Sequence, residues 1–176
     1  YIDINGLTKD GDRWQMIDST LNTTSGHITL HHSKWLMYFL HWRPLTKVNS
    51  TLTKEYVRNH LLNFWGAAMN FELTNIDGEM EVCGHKALFT AGNFGKGAVY
   101  TRFIVWNCPE TNRQFTADCN INLRRRTPKE LLEIQYLITQ TVRCHERGRS
   151  LTSSRLANRY ESREFDVSFS IPPEWK

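Results

Sequence analysis

The sequence predicts an α+β domain in which an antiparallel β-sheet is packed by two main helices. Three observations carry this prediction: helical apolar stripes at about 53–69 and 128–145, strand segments that form hairpins over 79–108 and 99–123, and the order of these segments. Extra strands are expected towards both the N-terminal and the C-terminal side. The 176 residues, 40% of them hydrophobic, fit a single domain, 1–176, with a substantial core.

The first part of the chain divides into a polar arm and two strand-like segments. Residues 1–26 are rich in turn-forming residues, and HITLHH (27–32) alternates so that Ile28 and Leu30 share one face. The next segment, WLMYFLHW (35–42), is far shorter than the ~20 residues of a membrane span. We therefore interpret it as a buried strand or a docking segment.

The first helix is predicted over 53–69. Thr53 suits the N-cap position, because its hydroxyl can accept a hydrogen bond from the first turn. The apolar residues that follow form one continuous stripe: Val57, Leu61, Phe64, Trp65 and Ala68. We expect this stripe to face the core.

Three extended segments come next, the first over 79–91 after a predicted turn at Asp77-Gly78. The glycine-rich GNFGKG (92–97) lacks the spacing of a phosphate-binding loop, so we interpret it as a hairpin connection. In the second hairpin, the PETN loop predicts that Cys108 pairs with Arg113. The same register makes one face of this hairpin apolar and the other mixed, and the mixed face is expected to be partly covered.

The second helix has the clearest local signal in the chain. Thr127, Pro128 and Glu130 match a capping box with proline at the first helical position. Its apolar stripe consists of Leu131, Ile134, Ile138 and Val142. Gly148 is the predicted stop, after an end near Cys144.

The remaining residues, about 146–176, are predicted to form a basic C-terminal extension. A short helix there would display Arg155 and Arg159, and FDVSFSI (165–171) alternates as a strand.

Charge is concentrated in the C-terminal third. The chain carries a net charge of +4, and from Arg124 to Arg163 there are ten Lys/Arg against four acidic residues. A basic patch is predicted at Arg124, Arg125, Arg126, Lys129, Arg155 and Arg159. Such a patch favours nucleic acid, anionic lipid or an acidic partner, or it is simply a solvated surface. The exposed strand faces lack the aromatic platform of RNA-binding sheets, so nucleic-acid binding is not the favoured interpretation.

Two features favour an exported protein. The sequence starts at Tyr1, as expected of a processed product or of part of a longer chain. Asn22 and Asn49 each begin a glycosylation-type triplet. No apolar run is long enough for a transmembrane helix. The sequence therefore predicts an extracytoplasmic or cell-surface location.

Geometry suggests a partner for Cys144. A strand of about ten residues runs roughly 33 Å away from the PETN turn, and the second helix returns about 25 Å. The end of that helix should therefore lie beside Cys108, which predicts a Cys108–Cys144 disulfide.

Other roles for these residues remain open. Zinc could be bound by Cys108, Cys144 and His145 with Cys83 or His85 as a fourth ligand, although the adjacent Cys144 and His145 point in different directions on a helix. Cys83 and His85 are expected on the same face of one strand. A catalytic Cys144–His145 pair is disfavoured by its adjacency, and plain buried thiols are a further alternative. Cys119 is interpreted as a small core residue.

The element order over about 28–145 resembles that of Mog1/PsbP-like domains. This resemblance implies an α/β/α sandwich that acts as an accessory subunit, while residues 146–176 depart from the pattern. The chain contains no nucleophile elbow, zinc-protease helix or dinucleotide fingerprint, so we expect no enzymatic activity and no cofactor. The leading functional hypothesis is an accessory or structural subunit that contacts a protein partner or a second copy. A small-ligand or metal-binding module is the alternative.

Overall fold

The computed structural model describes residues 14–20, 24–32, 36–47, 49–65, 70–123, 128–144, 159–162 and 167–170. Seven strands form one antiparallel sheet in the order β1-β2-β3-β7-β6-β5-β4, and β8 and β9 pair separately. The elements of the chain are, in sequence order, β1 (Trp14–Thr20), β2 (Gly26–His32), β3 (Leu36–Pro44), α1 (Lys54–Trp65), β4 (Glu72–Val82), β5 (His85–Phe94), β6 (Val99–Cys108), β7 (Arg113–Asn122), α2 (Pro128–Gln140), β8 (Arg159–Ser162) and β9 (Val167–Ser170). This is an α+β fold in which strands dominate.

Helix α2 packs on one face of the sheet. Its Ile138 is fully buried among side chains of the central strands, including Ile104 and Ala117. The hydroxyl of Tyr38 on β3 lies 3.1 Å from that of Thr139, a buried polar contact between helix and sheet. Because α2 packs here, this face carries the larger of the two hydrophobic cores, and we call it the α2 face.

Helix α1 packs on the opposite face, which we call the α1 face. Val57 and Leu61 of the predicted stripe are buried against Phe103 and Val105 of β6, whereas Phe64 is 48% exposed. Thr53 caps the helix through a 3.0 Å hydrogen bond from the backbone N–H of Tyr56. Strand β6 therefore supplies core residues to both faces, and the mixed face predicted for the second hairpin is covered by a helix.

The register of the second hairpin is confirmed. Cys108 pairs with Arg113 and Trp106 with Phe115. The segment 35–42 is also a strand: β3 lies between β2 and β7 in the sheet.

The first hairpin differs from its prediction. Residues 79–91 are not one strand, because the chain turns back at Cys83-Gly84 and the two halves belong to β4 and β5. The predicted turn at Asp77-Gly78 is wrong, since both residues lie within β4 next to an irregularity in its pairing with β5. Gly78 is needed there because a Cβ atom would clash with the ring of Phe89.

Several terminal predictions also change. A strand, β1, lies within the predicted polar arm, and Arg159 begins strand β8 where a short helix was predicted. Strand β9 confirms a strand within the segment 165–171, whereas α2 ends at Gln140, short of the predicted 145. The capping residue Thr127 and the predicted stop at Gly148 lie outside the described residues. Among the helices described, none is long and apolar enough to cross a membrane.

Candidate metal centre

The β4–β5 turn places a cysteine at the edge of the α2 face. It is a two-residue connection closed by the pair Val82 and His85. Both turn residues have positive φ, 53° at Cys83 and 80° at Gly84. Such a turn favours Asn-Gly, and a cysteine at its first position is strained by its Cβ atom. Backbone strain of this kind often accompanies a functional requirement.

His85 and Cys108 meet on the same side of the sheet. His85 begins β5, and Cys108 ends β6 as a fully buried residue. Glu110, in the turn that follows, contacts both: its Oε2 lies 3.4 Å from His85 Nε2 and 3.5 Å from Cys108 Sγ. A carboxylate in this position orients an imidazole and a thiol at the same time.

The segment after α2 brings Cys144 to this point. The helix ends in two backbone hydrogen bonds that each span three residues. The N–H groups of Thr141 and Val142 donate to the carbonyls of Ile138 and Thr139, both at 3.1 Å. The side-chain amide of Gln140 donates to the carbonyl of Glu81 at 2.7 Å, which ties the end of α2 to β4 beside the Cys83 turn. Cys144 is left only 6% exposed, and its carbonyl accepts a 3.9 Å hydrogen bond from the Cys108 thiol.

Three potential ligand atoms therefore converge. One ligand atom from each of His85, Cys108 and Cys144 lies within 4.8 Å of the other two. In tetrahedral zinc sites, bonds of about 2.0–2.3 Å place neighbouring ligand atoms roughly 3.5–3.8 Å apart. Small side-chain rotations would thus suffice to enclose an ion.

Cys83 is a candidate fourth ligand, although its sulfur lies outside the group of atoms that meet within 4.8 Å. Burial raises the pKa of the Cys144 thiol, and the neighbouring thiols of Cys83 and Cys108 raise it further. Cys83 therefore lies close enough to Cys144 to influence its charge. A raised pKa also disfavours Cys144 as a nucleophile, because the thiolate is the reactive form.

The predicted disulfide is not formed. Cys108 and Cys144 are neighbours, as the geometry of the hairpin and helix predicted, but the structure describes all four cysteines as thiols. Cys119 lies fully buried in the core of the α2 face. The two cysteines therefore lie next to each other, as predicted, but no covalent bond joins them.

The structure leaves most of the other predicted site residues untested. His145, Asn22, Arg155 and the arginines at 124–126 lie outside the described residues. Lys129 is exposed on α2, and Arg159 lies in β8. Asn49 is 5% exposed, and its side-chain amide donates to the carbonyl of Pro44 at 3.1 Å, an environment poorly suited to a glycan.

Sequence reasoning missed the turn and its consequence. A single strand over 79–91 would place Cys83 and His85 on one face, whereas the turn at Cys83-Gly84 separates them. The Cys-Gly dipeptide before His85 was the available signal, since glycine at the second position is typical of two-residue hairpins. Glu110 carried no signal of its own, because only the folded turn places it between His85 and Cys108.

In comparisons with known proteins, no family model and no curated protein matches this chain. The functional argument therefore depends on the site itself.

Proposed function

We propose that this protein is a zinc-binding module in which the ion joins the β4–β5 turn, the end of β6 and the segment after α2. The observation that carries the proposal is the convergence of His85, Cys108 and Cys144 within 4.8 Å from three separate parts of the chain. Cys83 would complete the set. Thiolate sulfur together with imidazole nitrogen selects zinc over the oxygen-preferring magnesium or calcium.

The proposed role of the ion is structural. Three cysteines and one histidine form a closed set of four ligands, which is typical of zinc sites that stabilise a fold. Cys108 and Cys144 are buried, whereas Cys83 lies at a turn and gives the ion a path of entry. Bound zinc would also balance the strain at Cys83, whose φ is 53°.

Elemental analysis of protein loaded with zinc and then desalted tests the proposal. We expect stoichiometric zinc in the wild type, and its loss in Cys108→Ser and in Cys144→Ser. Cys119→Ala is the matched control, because Cys119 lies roughly 20 Å along β7 from the partner of Cys108 and should not affect the metal. Wild-type protein without stoichiometric zinc, or a Cys108–Cys144 disulfide in the native protein, would overturn the proposal.

Glu110 provides a graded test. We expect Glu110→Gln to keep the metal but to weaken zinc affinity by about 10- to 100-fold, as the loss of a carboxylate that orients a histidine ligand usually does. Competition with a chromophoric chelator measures this affinity. Glu79→Gln is the control, because Glu79 forms a 3.0 Å surface ion pair with Lys86 instead. Equal zinc affinities for the two variants would remove Glu110 from the site.

The accessory-subunit role remains a second proposal. Tyr136 and Leu137 on α2 are 51% and 52% exposed, and apolar side chains of this size favour a protein contact. Native mass spectrometry of the protein as isolated tests it. A partner chain or a second copy retained in the complex would support an accessory role, and a monomer at all concentrations would count against it. An extracytoplasmic location stays a prediction.

A further inference from the structure

A cleft lies on the α1 side of the molecule, between the end of β3 and the outer surface of α1. Its volume is about 410 Å³, and it is lined by polar side chains that include Arg43, Thr46, Tyr56, Asn59, His60 and Asn63. This volume falls within the range of small-molecule sites. The cleft shares no residue with the proposed metal centre.

Arg43 is held rigidly in this cleft. Its Nε and Nη2 donate to Gln114 Oε1 at 3.1 and 2.7 Å, and Nη2 also donates to the hydroxyl of Tyr56 at 2.7 Å. Gln114 is itself 1% exposed, and its amide nitrogen donates to the carbonyl of Asn49 at 3.1 Å. The guanidinium is therefore oriented before any ligand arrives, which reduces the entropy lost on binding.

The charge of Arg43 is not balanced by an acidic group. No aspartate or glutamate lines the cleft, and no carboxylate of the described residues forms an ion pair with Arg43. Arg58, on the same helix as Tyr56, shows the contrast, since it pairs with Asp77 at 2.9 Å. Neutral partners hold Arg43 in place while leaving its positive charge available.

The charge of Arg43 also affects the neighbouring His60. The pKa of His60 is lowered to about 4, first by burial and then by the charges of Arg43 and His41. His60 is therefore neutral near pH 7 and can donate one hydrogen bond. Its ring stacks on that of Tyr56, with centroids 5.8 Å apart, which gives the cleft a flat wall.

We propose that this cleft binds a small oxyanionic ligand, with its phosphate or carboxylate group on Arg43. The hydrogen bonds of Arg43 use Nε and Nη2, and among the described residues no group accepts from Nη1. Nη1 would therefore be the group that donates to the ligand. Asn59 and Asn63, at the exposed surface of α1, add amide donors and acceptors beside it. The amide groups of these asparagines suit a ligand that carries hydroxyl groups next to its anionic group.

Titration of the isotope-labelled protein followed by NMR tests this proposal. Sodium phosphate, sodium acetate and sodium chloride are compared at equal ionic strength, so that screening is the same in all three. We expect saturable shifts with phosphate, acetate or both, confined to the end of β3, the loop at 45–47 and α1. Phosphate alone would assign a phosphorylated ligand, and acetate alone a carboxylate. Shifts identical to those in chloride would overturn the proposal.

Three variants that each change the net charge by the same amount separate the site from general electrostatics. Arg43→Gln removes the anchor, Asn59→Asp places a negative charge beside it, and Lys86→Gln removes a surface charge that is 68% exposed and lies on β5. We expect the first two to weaken binding of the effective anion by about tenfold to a hundredfold, the usual value of a charge-assisted hydrogen bond.

Asn59 is exposed, so Asn59→Asp tests the site even if Arg43→Gln perturbs folding. Lys86→Gln should bind the anion like the wild type. An equal loss of affinity in all three variants, or no loss in Asn59→Asp, would overturn the proposal.

Discussion

At the scale of single residues, the sheet buries two ionisable side chains, one against an aromatic ring and the other among hydrogen-bond donors. Arg102 is 8% exposed, and its guanidinium lies 3.8 Å from the ring centroid of Phe89 in a cation–π contact. Asp118 is fully buried and accepts hydrogen bonds from Trp65 Nε1 at 2.9 Å and from the hydroxyl of Thr101. The sequence predicted the face on which Asp118 lies. Its burial depends on the covering helix α1, which strand alternation does not reveal.

Asp118 should make stability depend on pH. Burial raises its pKa from 3.8 to about 6, despite the opposing hydrogen bonds from Thr101 and Trp65. Because the folded-state pKa lies above the unfolded value, the folded protein binds this proton more tightly. The stabilisation that the proton provides is therefore lost as pH rises from about 4 to above 6, and it amounts to something on the order of 3 kcal/mol.

Asp118→Asn removes this dependence while keeping an oxygen acceptor for Trp65. We expect the free energy of unfolding of the variant to increase relative to wild type between pH 4 and pH 7. Urea denaturation across this range measures the unfolding free energy of both proteins. In the difference between them, the contributions of the other carboxylates cancel. Glu133→Gln is the control, since Glu133 lies at the exposed surface of α2. A constant difference at all pH values would contradict the prediction.

At the scale of elements, the β4–β5 turn combines a strained backbone with a proposed ligand. Replacing Cys83 by Asn should relieve strain, because Asn tolerates positive φ and is favoured in such turns. We expect Cys83→Asn to stabilise the metal-free protein by about 1 kcal/mol and to lower zinc affinity. Urea denaturation with a chelator and with zinc measures both effects. If the variant is less stable than wild type in chelator as well, the strain argument fails.

The two hairpins show why one element was predictable and the other was not. For β6 and β7, alternating apolar residues on both sides of a four-residue loop left one register that buries Trp106 and Phe115 together. For β4, all residues but one are exposed or half-buried, because this strand lies at the edge of the sheet. An edge strand has no strict apolar alternation. The sequence pattern therefore indicates neither the start of β4 at Glu72 nor its end before Cys83.

At the scale of the whole molecule, the two cores share the central strands. Leu61 is fully buried on the α1 face and Ile138 on the α2 face. We expect Leu61→Ala and Ile138→Ala each to cost about 2–5 kcal/mol of unfolding free energy. Since β6 contributes to both cores, each variant should still unfold in one transition, monitored by tryptophan fluorescence and by far-ultraviolet circular dichroism. Separate transitions for the two probes would show that the layers unfold independently.

The layered arrangement could be predicted from the order of elements, but the strand order could not. An amphipathic helix must cover a sheet, and two such helices suggest two covered faces. Nothing in the sequence indicates that β3 lies beside β7, because their pairing joins residues as distant as Leu36 and Ile121. The proposed metal centre has the same limitation, since its ligands meet only when α2 lies across the completed sheet.

The pairing of β3 with β7 also affects synthesis. The strands β1, β2 and β3 leave the ribosome before β7, yet the edge of β3 is completed only by β7. Until β7 emerges, the apolar LMYFLHW of β3 (36–42) is exposed along an open strand edge, where it could pair with another nascent chain. Such distant pairing also slows folding. A chaperone that recognises extended apolar segments would therefore be expected to bind this protein at β3 during translation.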